Sequence, residues 1–123
     1  MKAVFSNFYG NIKDITLENN YYRQILSTTP TQQLVVMSLL PKQDIGMEIH
    51  PYTTQFIRIE QGTGEAIMDN TYCELEDDDV IVIPPNTLHN ITNTGTIPLK
   101  LYTIYSPPEH PYNCVDVTKP LHD

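Results

Sequence analysis

A chain of 123 residues with 40% hydrophobic content is the size of one domain with a single core. Its formal net charge of −8 gives no basic footprint for phosphates, which argues against a nucleic-acid binder and against docking on anionic membranes. Ten prolines and five glycines point to many turns and short elements, and no run of 18 apolar residues is present to span a bilayer.

In chain order, the opening "MKAVFSNFYGN" lacks a long apolar stretch, so a secretory leader is not expected and a reducing cytoplasm is. Cys73 and Cys114, neither with a CxxC partner, are then free thiols. Residues 1–33 form a lead-in that packs on the rest. Within it "DITLENNYYRQIL" suits a short helix or a strand, with the strand favoured over Tyr22 to Leu26. "LVVMSLL" is apolar on both faces, as a buried strand is. "GMEIHPYTTQF", residues 46–56, reads as a β region that carries Glu48, His50 and Gln55. "QFIRIEQ" alternates strictly, with Gln55, Ile57 and Ile59 on one face and Phe56, Arg58 and Glu60 on the other. "GEAIMDNTYCEL" predicts a hairpin at Asp69-Asn70, a pair that tolerates left-handed turns. "VIVIP" reads as a second buried run, and "HNITN" and "LKLYTIY" follow as strands split by "TGTIP". Short strands with frequent turn signals predict an all-β sandwich or barrel with under a tenth of its residues helical. Its core runs over 34–106 and a C-terminal extension over 107–123.

Glu48 and His50 lie two residues apart and share a face if that stretch is extended. Gln55 shares the apolar, inward face of Ile57 and Ile59, and His89 shares one with Ile91 and Asn93. A closed sheet would bring an acid, an amide and two imidazoles into one interior. Each such group left unpartnered costs about 1–3 kcal/mol. A metal ion removes the cost and accounts for the four donor types together; a hydrogen-bonded cluster or an open barrel mouth is the plainer alternative.

These residues resemble the cupin family, whose first motif reads G-x5-H-x-H-x(3,4)-E-x6-G and whose second reads G-x5-P-x-G-x2-H-x3-N. The first falls on Lys42, Glu48, His50, Gln55 and Gly62, and the second on Asp78, Pro84, Asn86, His89 and Asn93. Internal spacings are kept, and 15 residues separate the motifs. The resemblance covers residues 34–106 and implies a double-stranded β-helix, or jelly-roll, barrel. It also looks like a subgroup of small cupins labelled sugar-phosphate isomerase-like. It implies a divalent ion (Zn, Mn or Fe) held by Glu48, His50, Gln55 and His89, a small-molecule ligand or substrate, and a homodimer. Phe56, Phe5 and Phe8, on faces a lone barrel would expose, support the pairing.

The departures carry chemistry. Glu48 replaces the motif's first His and Gln55 its Glu, so the formal ligand charge stays at minus one and a divalent cation keeps its Lewis acidity. Lys42 and Asp78 replace turn glycines, so altered turns are expected there. Tyr52 is the candidate catalytic base for isomerase-type chemistry on a sugar-like metabolite. An iron-dependent dioxygenase and a non-catalytic binding module are the alternatives. Tyr102 and Tyr105 can reach the site or simply pack. Arg58 and Glu60 are expected outward, in a salt bridge or a subunit contact, and His110 and His122 at the surface.

Overall fold

The stretch that suits either a helix or a strand contains both. The structure, a computed structural model, describes residues 7–121, so Phe5 and His122 lie outside the described residues. Helix α1 covers Ile12–Glu18. It starts because the Asn11 side chain accepts the Asp14 backbone N–H at 3.0 Å, and Asp14 puts an acidic group in the first turn. Its last turn has no basic residue of its own. The Lys100 ammonium reaches across instead, donating to the Leu17 carbonyl and to Asn20 Oδ1. Strand β1, Arg23–Thr28, begins one residue beyond the expected start.

Strands β2 (Gln33–Leu39), β3 (Thr54–Gln61), β4 (Gly64–Met68), β5 (Thr71–Leu75), β6 (Val80–Ile83), β7 (His89–Asn93), β8 (Leu99–Ser106) and β9 (Val115–Asp116) follow. They form a six-stranded sheet in the order β6-β3-β8-β2-β1-β9 and a three-stranded sheet in the order β5-β4-β7, with every pairing antiparallel. This is the all-β jelly roll expected, and the seven residues of α1 are the one helix among the described residues. The hairpin at Asp69-Asn70 forms, with Asp69 at a φ of 52°.

The space between the sheets is filled by inward side chains of period two. Leu39, Met37 and Val35 come from β2, Ile57 and Ile59 from β3, Leu99 and Leu101 from β8, and Ala66 and Ile91 from the small sheet, all buried. At about 25 cal/mol per Å² of apolar surface removed from water, this layer is the main stabilising term.

Two expectations need correction. "VIVIP" is not buried on both faces: Ile81 and Ile83 point inward, whereas Val80 and Val82 are exposed. The reason is position, since β6 is an edge strand whose outer face nothing among the described residues covers. Nor is "GMEIH" a regular strand. With the residues just before it, it pairs with β7 through isolated bridges, Asp44 to Thr92 and Glu48 to His89, and not through a continuous ladder. The backbone bonds Lys42 N–H to Asn93 O, Ile45 N–H to Ile91 O and Glu48 N–H to His89 O advance three residues on one side for every two on the other. Each step is a bulge, which re-aims side chains beside a site.

The turns expected to change do not. Lys42, Asp78 and Asn86, all at motif glycine positions, take the left-handed conformation with φ of 72°, 74° and 63°. A non-glycine residue there costs about 1–2 kcal/mol. Asp78 recovers part through its 2.9 Å contact with Arg58. Lys42 is exposed, so Lys42→Gly is expected to stabilise the protein by about 1 kcal/mol, read as a rise of several degrees in melting temperature. An unchanged or lower melting temperature would show that the strain is relieved elsewhere. Gly62, by contrast, has a φ of 103° and backbone packed where a Cβ would sit, 3.1 Å from the Pro98 carbonyl.

Candidate functional site

The barrel interior changes character along its axis. At one end the inward residues are aliphatic; at the other they are Gln33 on β2, Tyr105 and Thr103 on β8, Gln55 on β3 and His89 on β7, all buried. Register explains part of this layer: Gln33 faces Tyr105, and Tyr105 faces Gln55, in one row across three adjacent strands. The sequence therefore puts amides and rings at one level of the barrel by strand phase alone.

Within this layer the two glutamines differ. Gln33 is fully engaged: its Nε2 donates to Thr28 Oγ1 and the His110 carbonyl, and its Oε1 accepts the Glu109 and His110 backbone N–H groups. Gln55 Nε2 donates to Thr103 Oγ1 at 3.1 Å, but its buried Oε1 has no hydrogen-bond partner. An orphaned acceptor of this kind costs about 1–3 kcal/mol, so the site holds a lone pair in reserve for something else.

His89 is prepared in a similar way. Its Nδ1 lies 2.8 Å from the Thr87 carbonyl, so Nδ1 carries the proton and donates, and the Nε2 lone pair is left free. The bridge to Glu48 sets that residue directly opposite His89. His50 packs its ring 5.1 Å from that of His89, with Nε2 3.9 Å from Glu48 Oε2, and meets the Tyr105 ring edge-on at 6.0 Å. The His50 and Glu48 side chains are 11% and 23% exposed, so the cluster is not sealed from solvent. Burial pushes the His50 pKa below its ordinary 6.5; the Glu109 carboxylate opposes this and the neighbouring His89 adds to it.

Two of the expected ligands, Glu48 and His89, thus lie against His50, while Gln55 stands opposite Tyr105, whose ring meets His50 edge-on. As the side chains stand, no three His, Cys, Asp or Glu among the described residues converge on one ligating point. The Gln55 amide oxygen, which is not of those types, is the donor whose environment most clearly asks for a partner. Tyr52 does not join them: it is 84% exposed. Its neighbour Thr53 is buried and bonds through Oγ1 to the Glu109 carboxylate and the Pro107 carbonyl. Tyr102 stacks on Phe56 outside the barrel, while Tyr105 faces in. Arg58 lies outward in a 2.9 Å ion pair with Asp78, as expected. Asn93 serves structure, donating to the Leu39 and Ile97 carbonyls and accepting from Gly95 N–H.

His110 is not a spare surface residue. It packs edge-on against Tyr105 at 5.2 Å, and Glu109 beside it brings its carboxylate to 3.5 Å from His50 Nδ1. No motif spacing relates residue 109 to residue 50, because the contact exists only once the C-terminal segment folds back over the mouth. That segment is held by Ile25 N–H to the Cys114 carbonyl, by β9 on β1, by Arg23 to Asp116 and by Lys119 to Asp44. The Lys119 contact also holds the Asp44 carboxyl below its ordinary range. A separate surface depression at the Asn93 end of the small sheet, lined by Glu65, Glu74, Glu76 and Asp79 among others, contains none of these imidazoles.

An antiparallel jelly roll with imidazoles and polar donors at one end of its interior defines a barrel of the cupin class. The cupin domain model matches residues 35–105, and the chain belongs to that family. It is 50% identical over 114 residues to the uncharacterized protein L612 of Acanthamoeba polyphaga mimivirus, covering 89% of this chain and 71% of that protein. It is 47% identical over 118 residues to the uncharacterized protein YrkC of Bacillus subtilis, covering 91% and 63%. The chain thus spans about two thirds of the length of these relatives. Among solved structures, BH2720 from Bacillus halodurans superposes with a TM-score of 0.91 at 43% identity, over 93% of this chain and 91% of that one. KdgF from Halomonas sp. superposes with a TM-score of 0.67 at 21% identity, over 71% and 80%, a likeness of fold alone.

Proposed function

We propose that this cupin binds a divalent metal ion, Zn, Mn or Fe, through Glu48, His50, Gln55 and His89, and uses it to hold a small oxygen-rich, sugar-like metabolite. The observations that support this most are the buried, unpartnered Gln55 Oε1 and, in the same polar layer of the interior, a His89 whose Nε2 is left free. The donor set fits: two neutral imidazoles, one carboxylate and one amide oxygen suit a divalent cation of borderline softness. A bound cation would supply Lewis acidity, polarising a chelated carbonyl for isomerase-type chemistry. The protein's own part is orientation. Thr87 fixes the His89 tautomer, Thr103 holds the Gln55 amide, and Tyr105 stands edge-on to the His50 ring. With Tyr52 in solvent, the base that such chemistry needs is not supplied from the position expected.

A second reading, a metal-free pocket that binds its small molecule directly through the same polar layer, is favoured by the lack of convergence of three ionisable ligands among the described residues. Nothing in the donor geometry singles out the iron-dependent dioxygenase. The proposal includes a cytoplasmic setting, supported by Cys73 and Cys114 remaining thiols; among the described residues no helix is long and apolar enough to cross a membrane.

Thermal melts of chelator-treated protein separate the two readings. Adding Zn, Mn or Fe at a hundredfold excess over its dissociation constant is expected to stabilise by about 2.7 kcal/mol. The gain should shrink once pH falls through the folded-state value of His50, which burial holds below 6.5, because an imidazole must be neutral to ligate. Metal-free stability should start to fall earlier, as pH drops below about 6.5. The unfolded His50 takes up its proton near 6.5 and the folded one only at lower pH, so the unfolded state binds more protons there. Melting temperatures that ignore all three metals would favour the metal-free pocket.

The proposal also includes a homodimer. Phe56 is half-buried against Tyr102 and lies opposite Val82, which with Val80 is exposed on the edge strand, giving an apolar strip on the outer face. Phe8, exposed in the described chain, adds to the apolar surface. Light scattering is expected to return twice the 14.1 kDa chain mass; the monomer mass at micromolar concentration would count against pairing.

A further inference from the structure

We propose that Glu109 is a positioning residue for His50, accepting from Nδ1–H so that Nε2 is left unprotonated on the side that faces Glu48 and His89. The inference rests on the metal-site reading above and extends it to the C-terminal segment. Three observations carry it. First, the two ring nitrogens of His50 face two different carboxylates: Nδ1 lies 3.5 Å from Glu109 and Nε2 lies 3.9 Å from Glu48. The nitrogens of an imidazole point in divergent directions, so Glu109 sits behind the ring and not among the ligands. Second, the Glu109 carboxylate is not a free surface group. Thr53 Oγ1 bonds to its Oε1, which leaves Oε2 for His50, and the side chain is only 27% exposed. Third, its backbone is pinned by the engaged Gln33, whose Oε1 accepts the N–H groups of both Glu109 and His110.

His89 shows the closer form of this arrangement, with a carbonyl in place of the carboxylate: Nδ1–H donates to Thr87 O at 2.8 Å and Nε2 is left free, whereas Glu109 lies 3.5 Å from His50 Nδ1. Oxygen acceptors behind ligating imidazoles fix the tautomer and raise the basicity of the ligand. Both imidazoles, 5.1 Å apart, would then keep Nε2 unprotonated, one held by the β7 lead-in and the other by the segment that follows β8. The site is complete only when that segment is docked.

The test reads the tautomer in metal-free protein, by nitrogen-15 NMR of the His50 ring at neutral pH. Wild type is expected to carry the proton on Nδ1. Glu109→Ala leaves Glu48 as the nearer carboxylate, so the proton should move to Nε2, and Zn or Mn affinity should fall about 10–100-fold. Glu109→Gln keeps an acceptor oxygen and should retain the Nδ1 proton with an intermediate affinity. A purely structural Glu109 would lower the melting temperature of the alanine variant and leave the tautomer in place; that result would overturn the proposal. If wild type takes up neither metal but the tautomer still switches in Glu109→Ala, the metal reading fails while the positioning of His50 by Glu109 stands.

Discussion

His89→Ala is expected to lower the affinity for a divalent metal by at least about a hundredfold, equivalent to about 2.7 kcal/mol. The loss should be large because this imidazole is the best prepared of the four donors. It is buried, its Nδ1 is committed to the Thr87 carbonyl at 2.8 Å, and Nε2 has no conformational search left to make. No side chain at position 89 of the variant can replace the nitrogen donor. The truncation also leaves a small void beside the His50 ring, 5.1 Å away in the wild type, so a modest drop in metal-free stability accompanies it. Competition titration against a chelator of known affinity measures the first effect and a metal-free melt the second. Wild-type affinity in the variant would remove His89 from the site.

Gln55→Glu should act in the opposite direction on affinity and split stability in two. The carboxylate would occupy the place of an amide whose Nε2 donates to Thr103 and whose Oε1 is orphaned. Thr103 has a hydroxyl, which can turn from acceptor to donor, so the substitution does not strand it. Without metal, a buried carboxylate at position 55 has no cation to offset it and should destabilise the protein by about 1–3 kcal/mol. With metal, the added anion faces a cation, so binding should tighten about tenfold or more and the melting temperature should rise above wild type. A variant that melts lower in both conditions and binds no tighter would sink the metal reading.

How far the sequence reveals this molecule depends on the range of each interaction. Strand phase is local, and it is legible: the alternation of "QFIRIEQ" correctly puts Gln55, Ile57 and Ile59 inside and Arg58 outside. The burial of Gln55 and His89 in one polar layer follows from strand phase, and the contact of His50 with Glu48 and His89 accords with the motif spacing. Edge effects are not local. "VIVIP" looks like a core strand because nothing in its four β residues records that the outer face of the sheet is left uncovered at β6. The bulged path of Asp44 to Glu48 is likewise set by its partner β7, and hydrophobic pattern alone reads it as regular. The turns of Lys42 and Asp78 show the reverse error, because a missing glycine suggests a lost conformation that the fold nonetheless imposes.

The largest omission is Glu109. It reaches His50 across 59 positions of sequence, through a return of the chain held by Gln33, β9 and Lys119. The Pro-flanked "PPEHP" signals only an extended turn, and a polar pair in such a turn reads as surface. Tyr52 fails for the related reason that proximity in sequence to His50 does not fix direction: Pro51 and the irregular loop send it to solvent and its neighbour Thr53 inward.

The most direct test of a metal-binding barrel is elemental analysis of protein purified without an affinity-metal column, repeated after chelation and refilling with Zn, Mn or Fe. The account predicts one equivalent per chain in the refilled wild type and a small fraction of that in His89→Ala. No retained metal in refilled wild type, or equal retention in the variant, would contradict it.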